Sequence, residues 1–487
     1  MNPLRTTLLA LPLAAAAASA QAPAQTPPQT VDELWRTNCL MCHRSGEGGV
    51  MNTPSLLTDA AFDQKLDHPF FDTIKAGKPG TQMKAFGAKL NDEQVWSLVN
   101  YLRELQLKNI RKNGGIWAAP KPTKEGVYET RLHAFTIEDV VAGELSTPWA
   151  IEFLPDGRSI ITERKGALRL LDKGKLSEPI SGIPAVYSQG QGGLLDVALH
   201  PDFATNGWIY LALSDPRGGN DGRTVAFTKI IRGKIKDNAW TAQETIFAAE
   251  PEHYSGGDIH FGCRIVFPPK GADGKQYMFF GIGERGRGEL AQDLKRPNGK
   301  VYRLFDDGTV PTDNPFVGEA DAYKAIWSYG HRNPQGLVMD QNGNLFDTEH
   351  GPRGGDELNL VTKGTNYGWP TISYGINYNG MPNKTPWVGE GQNFTLPVAR
   401  WMPSIAACGL TVASDKAFPQ WNNDLFAGGL AGACVHRMRV RDVQLVEREE
   451  IFWGHGRVRD VVCGPDGLIY IVLNDPDKIV RLVPVKK

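Results

Sequence analysis

The residues best suited to chemistry lie in a segment rich in glycine and proline between residues 326 and 370. Arg332 and Asn333 are adjacent donors of several hydrogen bonds, and such a pair suits a planar ligand that is rich in oxygen. Gly351 and Pro352 leave backbone carbonyls free and Glu357 follows them, and a hard cation prefers such oxygen ligands. The segment is predicted to form loops between strands, because proline and glycine break helices. A polar loop network without a ligand is the alternative interpretation.

A second set of reactive residues lies near the N-terminus. Cys39, Cys42 and His43 form the C-x-x-C-H pattern to which a c-type haem is attached. The two thiols can bond both haem vinyl groups, and the imidazole that follows can reach the iron. A thioredoxin-like redox pair is the alternative, but that reading requires a βαβ context that is missing here.

The haem iron would need a second axial ligand further along the chain. Met83 is predicted for this position because it lies in a tight loop of glycine and proline that would hold it rigidly. Met51 is the first alternative and His68 the second. The segment is predicted to end in a helix that begins with a capping box at Asn91 and packs across an N-terminal helix containing Trp35.

Changes in composition predict three parts after the N-terminal leader. Residues 31–107 contain the haem motif and helical periodicity, and are predicted to form a small all-α domain. Residues 108–124 lose this periodicity and gain glycine, proline and lysine, which predicts a linker. Residues 125–487 are predicted to form a large all-β domain.

The large domain contains a weak repeat. A turn with glycine, asparagine or aspartate precedes a β-rich run in six places, which are residues 155–157, 205–207, 272–274, 341–343, 421–424 and 465–467. The spacing of roughly 60 residues suits four-stranded blades with long loops, and such turns are typical of β-hairpins. The repeat therefore predicts a six-bladed β-propeller. A pair of β-sandwiches is the alternative, but it does not explain turns that recur across the whole domain.

The N-terminus has the features of an export signal. Arg5 precedes the apolar run Leu8–Ala18, and Ala18-Ser19-Ala20 is a cleavage site of the A-x-A type, so residues 1–20 are predicted to be a cleaved signal peptide. Retention of this segment as an anchor is the lesser alternative. Export would permit disulfides, but spacing does not indicate which of the remaining cysteines would pair: Cys263, Cys408, Cys434 and Cys463.

The overall charge argues against two classes of partner. The 487 residues carry a formal net charge of −1 with nearly equal numbers of acidic and basic residues. No strong field is therefore expected to attract nucleic acid or anionic lipid. We expect no stable insertion into a membrane, because no other apolar stretch approaches the necessary length.

Several polar loops of the large domain should meet on one face of the propeller if its strands alternate in direction. His260 is the candidate general base, since Glu284 downstream could orient its imidazole. Glu284 lies within a G-x-G-x-x-G sequence, residues 281–286, but a dinucleotide site would need a helix to begin there. The other members of the predicted set are Gln191, Arg332, Asn333, Gly351, Pro352, Arg457 and Arg459.

These motifs together resemble those of the soluble PQQ-dependent aldose sugar dehydrogenases, which are glucose/sorbosone dehydrogenase-like propellers. The resemblance covers nearly all of residues 135–487, and residues 31–107 resemble a class I cytochrome c with His43 and Met83 as iron ligands. The motifs that carry it are Pro148-Trp149-Ala150-Ile151, Gln191-Gly-Gly-Leu-Leu-Asp196, Leu199-His-Pro-Asp-Phe203, His260 with Arg264, Gly330-His-Arg-Asn-Pro-Gln-Gly336, Glu349-His-Gly-Pro352 and Asn366-Tyr-Gly-Trp-Pro370.

The resemblance implies a role for each candidate residue. His260 would take the proton of the sugar's anomeric hydroxyl as hydride passes to the C5 carbonyl of PQQ, and Arg332 would stabilise charge on the quinone oxygen. Gln191 and Asn333 would hold PQQ, and Arg457 and Arg459 would bind its carboxylates. The implied Ca²⁺ ligands are the carbonyls of Gly351 and Pro352 at a first ion, and Glu357 with the Tyr367 carbonyl at a second, structural ion.

The sequence departs from the family pattern at two positions. The acidic partner of the base is usually aspartate, whereas Glu284 is longer by one methylene. A lysine that follows the leucine of the fifth repeat in some members is replaced here, because Ala431 and Gly432 follow Leu430. Both departures bear on cofactor affinity and rate.

The predicted protein is a periplasmic quinohaem dehydrogenase. It would oxidise an aldose at C1 to the lactone and pass electrons through PQQ to the fused haem and then to a downstream periplasmic acceptor. Fusion would replace a diffusional encounter by a high effective concentration of the acceptor. The alternatives are a Ca²⁺-dependent propeller lactonase and a non-enzymatic propeller that binds carbohydrate or protein.

Overall fold

The protein is described here from a computed structural model that covers residues 29–48, 53–63, 67–219, 221–383 and 394–485. The predicted signal peptide and Met51 lie outside the described residues. Within these ranges, no helix combines the length and the apolar character needed to cross a membrane.

The N-terminal part is built from helices, as predicted. Its helices are α1 (Val31–Asn38), α2 (Leu40–His43), α3 (Asp67–Ala76) and α4 (Asp92–Asn113), with a short 3₁₀ helix at Asp59–Phe62. The predicted capping box is present, because Asn91 and Gln94 exchange side-chain and backbone hydrogen bonds. Trp35 and Leu34 of α1 pack against Leu98 of α4, which confirms the predicted crossing.

The last helix corrects the predicted linker. Residues 108–113 belong to α4, which ends only where the N–H of Gly114 bonds to the carbonyl of Ile110. Ile110 is buried and continues the buried face of α4 through Leu102 and Gln106. The polar residues around it conceal this periodicity in the sequence, because they lie on the exposed side of the helix.

A buried arginine holds the helical domain together. The side chain of Arg103 is fully buried and donates to Asp67, to Gln106 and to the backbone carbonyls of Ala61 and Asp63. Removing Arg103 deprives Oδ1 of the buried Asp67 of its donor, although Arg400 still pairs with Oδ2, and breaking a buried ion pair in this way is strongly destabilising.

We therefore expect Arg103→Ala to lower the free energy of unfolding of the helical domain by about 3–5 kcal/mol. Chemical denaturation of the full chain, followed by circular dichroism and haem absorbance, measures this change. Arg36→Ala is the matched control, because Arg36 is exposed on α1 and its loss should change stability by less than about 0.5 kcal/mol. Equal effects of the two substitutions would refute the assigned role of Arg103.

The large domain is a six-bladed β-propeller, which confirms the predicted fold. Five sheets have four strands and one has five. The first three blades are β3 (Pro148–Phe153), β4 (Ser159–Glu163), β5 (Ala167–Asp172) and β6 (Lys175–Leu176); β7 (Leu194–Leu199), β8 (Ile209–Gly218), β9 (Thr224–Lys236) and β10 (Ala239–Phe247); and β11 (Ile265–Val266), β12 (Tyr277–Ile282), β13 (Lys300–Phe305) and β14 (Ile326–Tyr329).

The remaining three blades complete the ring. They are β15 (Pro334–Met339), β16 (Leu345–Glu349), β17 (Asp356–Leu360) and β18 (Ala399–Trp401); β19 (Ala407–Val412), β20 (Leu425–Gly429), β21 (Cys434–Arg441) and β22 (Gln444–Trp453); and β1 (Tyr128–Glu129), β2 (Ala134–Ala142), β25 (Lys478–Val485), β24 (Ile469–Asn474) and β23 (Arg457–Cys463). The sixth blade closes the ring, because β2 from the start of the propeller pairs with β25 from its end. One further helix, α5 (Phe203–Asn206), lies between β7 and β8.

Each of the six predicted turns joins the first strand of a blade to its second strand. All six turns therefore lie on one face of the propeller, which we call the turn face. The opposite face, where each first strand begins and each second strand ends, is called the site face. Neighbouring first strands contact one another around the ring and place the beginnings of these strands near its centre.

The cytochrome-like domain docks on the site face. Arg111 of α4 donates to the carbonyl of Gly432, which follows the second strand of the fifth blade, and Asn100 donates to the carbonyl of Tyr374. The N–H of Val31 in α1 bonds to the carbonyl of Gly380. The predicted haem and quinone sites thus belong to two domains that are in direct contact.

The six cysteines are all described, and none forms a disulfide. Cys263, Cys408 and Cys434 are buried within the propeller. Burial raises the pKa of the Cys263 and Cys408 thiols to about 12, so these groups are protonated and behave as small apolar side chains.

Candidate active site

The strongest pair of catalytic candidates is His260 and Glu284. His260 precedes the first strand of the third blade and Glu284 follows the second strand, so both lie on the site face. His260 Nδ1 lies 2.5 Å from Glu284 Oε1, and the two residues are 5% and 2% exposed. No α-helix begins in the loop that contains Glu284, as predicted; a short 3₁₀ helix follows at Gly288–Ala291.

The pair is held by backbone contacts on both sides. The N–H of His260 bonds to Gln191 Oε1 at 2.8 Å, and the N–H of Glu284 bonds to the carbonyl of Arg332 at 2.9 Å. Gly283 permits this approach, because a Cβ atom there would meet the carbonyl of His260. His260 itself has a φ of 55°, and such conformations in residues other than glycine are concentrated at functional sites.

The electrostatics keep His260 neutral. Burial lowers the pKa of His260, the hydrogen bond to Glu284 raises it, and the positive charge of Arg332 lowers it again. A neutral imidazole that donates from Nδ1 to the Glu284 carboxylate leaves Nε2 as a proton acceptor.

We therefore expect Glu284→Gln to shift the acid limb of the pH profile of kcat/KM to lower pH. The substitution removes a carboxylate that raises the pKa of His260, so the imidazole stays deprotonated at lower pH. Steady-state rates across the pH range measure this shift. A profile with the acid limb unchanged or moved to higher pH would contradict the assignment of His260 as the titrating group.

Arg332 is buried near two aromatic side chains. Its guanidinium carbon is 5.1 Å from the ring centre of Trp369 and 5.9 Å from that of Tyr378. Nη1 donates to the carbonyl of His350 at 3.2 Å, whereas Nε is buried without a hydrogen-bond partner among the described residues. A ligand with an oxygen in this position would satisfy the free N–H.

Other unpaired polar atoms surround the same space. Asn333 accepts from the N–H of Gly262 through Oδ1, but its Nδ2 has no partner within the described ranges. The indole N–H of Trp369 and Nε2 of His350 are also buried and unpaired there. Buried polar groups normally have partners, so this set fits an oxygen-rich planar cofactor such as PQQ.

His350 is a site residue that the sequence analysis did not assign. Burial lowers its pKa well below the ordinary value, and the positive charges of Arg332 and Arg459 lower it further. Its imidazole is therefore neutral and lies among the residues predicted to bind the cofactor. The only signal in the sequence was its place in the motif Glu349-His-Gly-Pro352.

The two predicted carboxylate-binding arginines differ in their surroundings. Arg459 stacks on Trp149, with its guanidinium carbon 3.9 Å from the ring centre, and burial lowers its pKa to about 10. The side chain of Arg457 is about half exposed, and its Nε lies 4.0 Å from Oδ2 of Asp475. Arg459 thus fits a ligand in the central channel, while Arg457 lies at its rim.

The loop between β16 and β17 carries the predicted ligands of the first calcium ion. Asp356 fixes its shape, because its carboxylate accepts from the N–H of Gly351 and from the N–H groups of Ile405 and Ala407. Gly351 is required by close packing, since a Cβ atom there would meet the carbonyls of Gly354 and Gly355 in the same loop. This loop can present the carbonyls of Gly351 and Pro352 as a preformed pair.

Acidic residues gather beside the loop, in support of a cation. Asp347 and Glu349 of β16 face Asn359 and Glu357 of β17 across the strand pair, and burial raises the pKa of Glu357 well above its ordinary value. Burial also raises the pKa of Asp347 to about 6. His331 Nδ1 lies 3.3 Å from Oδ2 of Asp347. Asp347 and Glu349 are buried and Glu357 is partly buried, and such a group of carboxylates fits a divalent cation.

His331 and Tyr367 close this acidic cluster. The rings of Tyr367 and His331 stack with their centres 4.6 Å apart, and the Tyr367 hydroxyl donates to the carbonyl of Leu360. Burial alone would lower the pKa of His331, but hydrogen bonds to Asp347 and Glu349 raise it to about 9. A protonated His331 would compete with a metal ion for the same carboxylates, so its charge is part of the energetics of any cation site here.

A second group of ligand-type atoms has a different explanation. The ligand atoms of Cys434, His436 and Glu450 lie within 4.8 Å of one another. Arg111 of α4 lies 3.5 Å from Glu450 and donates to Gly432, so a cation from the helical domain already neutralises this carboxylate. We interpret this group as a docking contact.

The predicted haem ligands lie on the helical domain. Cys39 caps α1, and Cys42 and His43 lie in α2, with the ring of His43 6.3 Å from that of Trp35. Nδ1 of His43 is buried without a partner among the described residues, and burial lowers its pKa, so the imidazole is neutral and can bind iron. Met83 follows the turn at Lys78–Thr81, and its role as the second iron ligand stays a prediction.

Comparison with known proteins agrees with this arrangement. A family model described as Glucose / Sorbosone dehydrogenase matches residues 145–481, and one described as Cytochrome C oxidase, cbb3-type, subunit III matches residues 26–102. The aldose sugar dehydrogenase YliI of Escherichia coli is 41% identical over 371 residues, which are 74% of this chain and 93% of that protein. Quinoprotein glucose dehydrogenase B of Acinetobacter calcoaceticus is 27% identical over 69% of this chain and 84% of its own length.

Solved structures give the same result. The apo form of the E. coli aldose sugar dehydrogenase superimposes with a TM-score of 0.66 and covers 72% of this chain and all of its own. The PQQ-bound aldose sugar dehydrogenase of Streptomyces coelicolor has a TM-score of 0.58 at 27% identity and covers 72% of this chain and 98% of its own.

The fold and these likenesses define a sugar-dehydrogenase propeller of the PQQ-binding type. The chain belongs to the glucose/sorbosone dehydrogenase family, and a cytochrome c domain of the cbb3 subunit III type is fused to its N-terminus.

Proposed function

We propose that this protein is a periplasmic quinohaem oxidoreductase that oxidises an aldose at C1 to the lactone. The propeller would bind PQQ and the sugar, and the docked cytochrome c domain would accept the electrons and pass them to a further periplasmic acceptor. The observation that carries the proposal is the placement of the His260–Glu284 pair and Arg332 on the face to which the cytochrome domain docks.

Each residue of the site has a defined task in this reaction. His260 accepts the proton of the anomeric hydroxyl at Nε2, while Glu284 orients the ring and stabilises its protonated form. Arg332 offers its free N–H to an oxygen of the cofactor, and Trp369 and Tyr378 keep the guanidinium in position. When bound, PQQ supplies the acceptor for the hydride, and haem supplies an acceptor for single electrons.

The binding residues divide between the cofactor and the metal. Gln191 and Asn333 would hold the cofactor by side-chain hydrogen bonds, and Arg459 with Arg457 would bind its carboxylates. The carbonyls of Gly351 and Pro352 would hold a Ca²⁺ that withdraws electron density from the quinone. Glu357, with the carbonyl of Tyr367, would hold a second, structural Ca²⁺ beside Asp347 and Glu349.

A direct test uses the full chain with covalent haem. The protein is freed of metal with a chelator, supplied with PQQ and Ca²⁺, and mixed with a panel of aldoses while haem absorbance is followed. We expect the haem to become reduced only when PQQ, Ca²⁺ and sugar are all present. Lactone hydrolysis without any change in the haem would favour the lactonase, and no PQQ binding would favour a non-enzymatic propeller.

A further inference from the structure

The cytochrome domain contacts the same loop that carries the predicted calcium ligands. Arg353 follows Gly351 and Pro352 directly, and its side chain points away from them towards α4. Arg353 Nε and Nη2 donate to the two carboxylate oxygens of Glu104 at 2.8 and 2.6 Å. This two-fold contact fixes the orientation of the guanidinium as well as its position.

The backbone of the loop is held by the residues around this contact. The N–H of Arg353 donates to the carbonyl of Ile376, and the N–H of Ile376 donates to the carbonyl of Arg353. The N–H of Gly355 donates to the carbonyl of Trp401. The amide of Asn100 in α4 donates to Tyr374, and its oxygen lies so close to Gly354 that a Cβ atom there would meet it. One face of the loop is therefore covered by α4.

The ionic contacts on this face of the loop cross the domain boundary. Arg353 reaches across the domain boundary to Glu104, and Asp32 of α1 lies 3.9 Å from its Nη1. Both acidic partners belong to the cytochrome domain. The loop and the docked domain consequently share one set of ionic contacts. A conformational change in the loop therefore alters the contacts of the domain, and the reverse also holds.

We infer that Arg353 and Glu104 couple docking of the cytochrome domain to calcium binding at the loop. Arg353 is a positioning residue, since it acts through the backbone of Gly351 and Pro352 and touches no reacting atom. Docking holds these carbonyls in place for the ion. Because such coupling is reciprocal, Ca²⁺ binding also strengthens docking of the cytochrome domain. The metal-loaded site is therefore the one that is held against its electron acceptor. This inference rests on the calcium site of the proposed function.

The test measures Ca²⁺ affinity in the full-length protein with haem attached. Glu104→Gln removes the charge of the partner without any change in the propeller, and isothermal titration after chelation is expected to show an affinity at least about fivefold weaker. Asp92→Asn is the matched control, because it removes an acidic residue of α4 that pairs with Lys75 on the exposed side. The loss of Ca²⁺ affinity in Arg353→Gln and in the double variant should be no larger than the loss in Glu104→Gln alone.

A second measurement follows amide hydrogen exchange first without metal and then with Ca²⁺. Amide hydrogen exchange at Arg353 and Gly355 should be faster in Glu104→Gln than in the parent, and added Ca²⁺ should slow exchange along α4 in the parent only. If the parent binds no Ca²⁺, the calcium site of the proposed function fails, whereas unchanged exchange in Glu104→Gln overturns the coupling. Equal Ca²⁺ affinities of the parent and Glu104→Gln would also overturn it.

Discussion

Replacing His260 with alanine is expected to lower the rate of sugar-dependent haem reduction by about two to four orders of magnitude. The substitution removes the nitrogen proposed to accept the substrate proton, and it leaves Glu284 buried without its partner. Stopped-flow measurement of haem reduction in the PQQ- and Ca²⁺-loaded protein gives the rate. Binding of PQQ, followed by its absorbance, should weaken far less than the rate falls.

A matched histidine separates chemistry from stability in this experiment. His200 is 4% exposed, close to the 5% of His260, but it lies at the turn face beside Asp306. His200→Gln should preserve the rate of haem reduction in the folded protein. A His260→Ala protein that reduces its haem at the parent rate would show that another group accepts the proton.

Arg332→Ala is expected to lower the same rate by about two to three orders of magnitude and to weaken PQQ binding. The change removes the positive charge proposed to face the quinone, and with it the N–H of Nε, which has no hydrogen-bond partner among the described residues. Arg332→Lys should recover only part of the loss, because an ammonium does not reproduce the contacts of a planar guanidinium with the rings of Trp369 and Tyr378. Rate and PQQ affinity are measured for each variant.

The control for Arg332 is another arginine stacked on a tryptophan. Arg232 lies over Trp208 at 4.4 Å and pairs with Glu244, near the turn face. Arg232→Ala should leave PQQ affinity and rate close to those of the parent. An Arg332→Ala protein with unchanged PQQ affinity would contradict the placement of the quinone beside this side chain.

The regular parts of the structure could be predicted because their signals are local. Each of the six turns needs residues that tolerate a tight hairpin, and all six mark the same strand connection. The C-x-x-C-H motif and the capping box at Asn91 are likewise contained within a few residues. Alternation of strand direction then sufficed to bring His260, Glu284 and Arg332 to one face.

The missed features all depend on partners that are distant in sequence. The acidic cluster arises from the register that places Asp347 opposite Asn359 and Glu349 opposite Glu357. The last two turns of α4 are stabilised by Ile110 in the core and by Arg111 at the fifth blade. His350 became a site residue only when Arg332 and Arg459 were placed around it.

The pairing of β2 with β25 has a consequence for the order of folding. As a chain emerges from its N-terminus, residues 31–113 are complete long before the partner of β2 appears, so Cys39 and Cys42 can receive haem while the propeller is still open. The surface on which the cytochrome domain docks lies on the fourth and fifth blades, which follow the helical domain in the chain. The order of synthesis thus provides the haem half first and the surface that receives it afterwards.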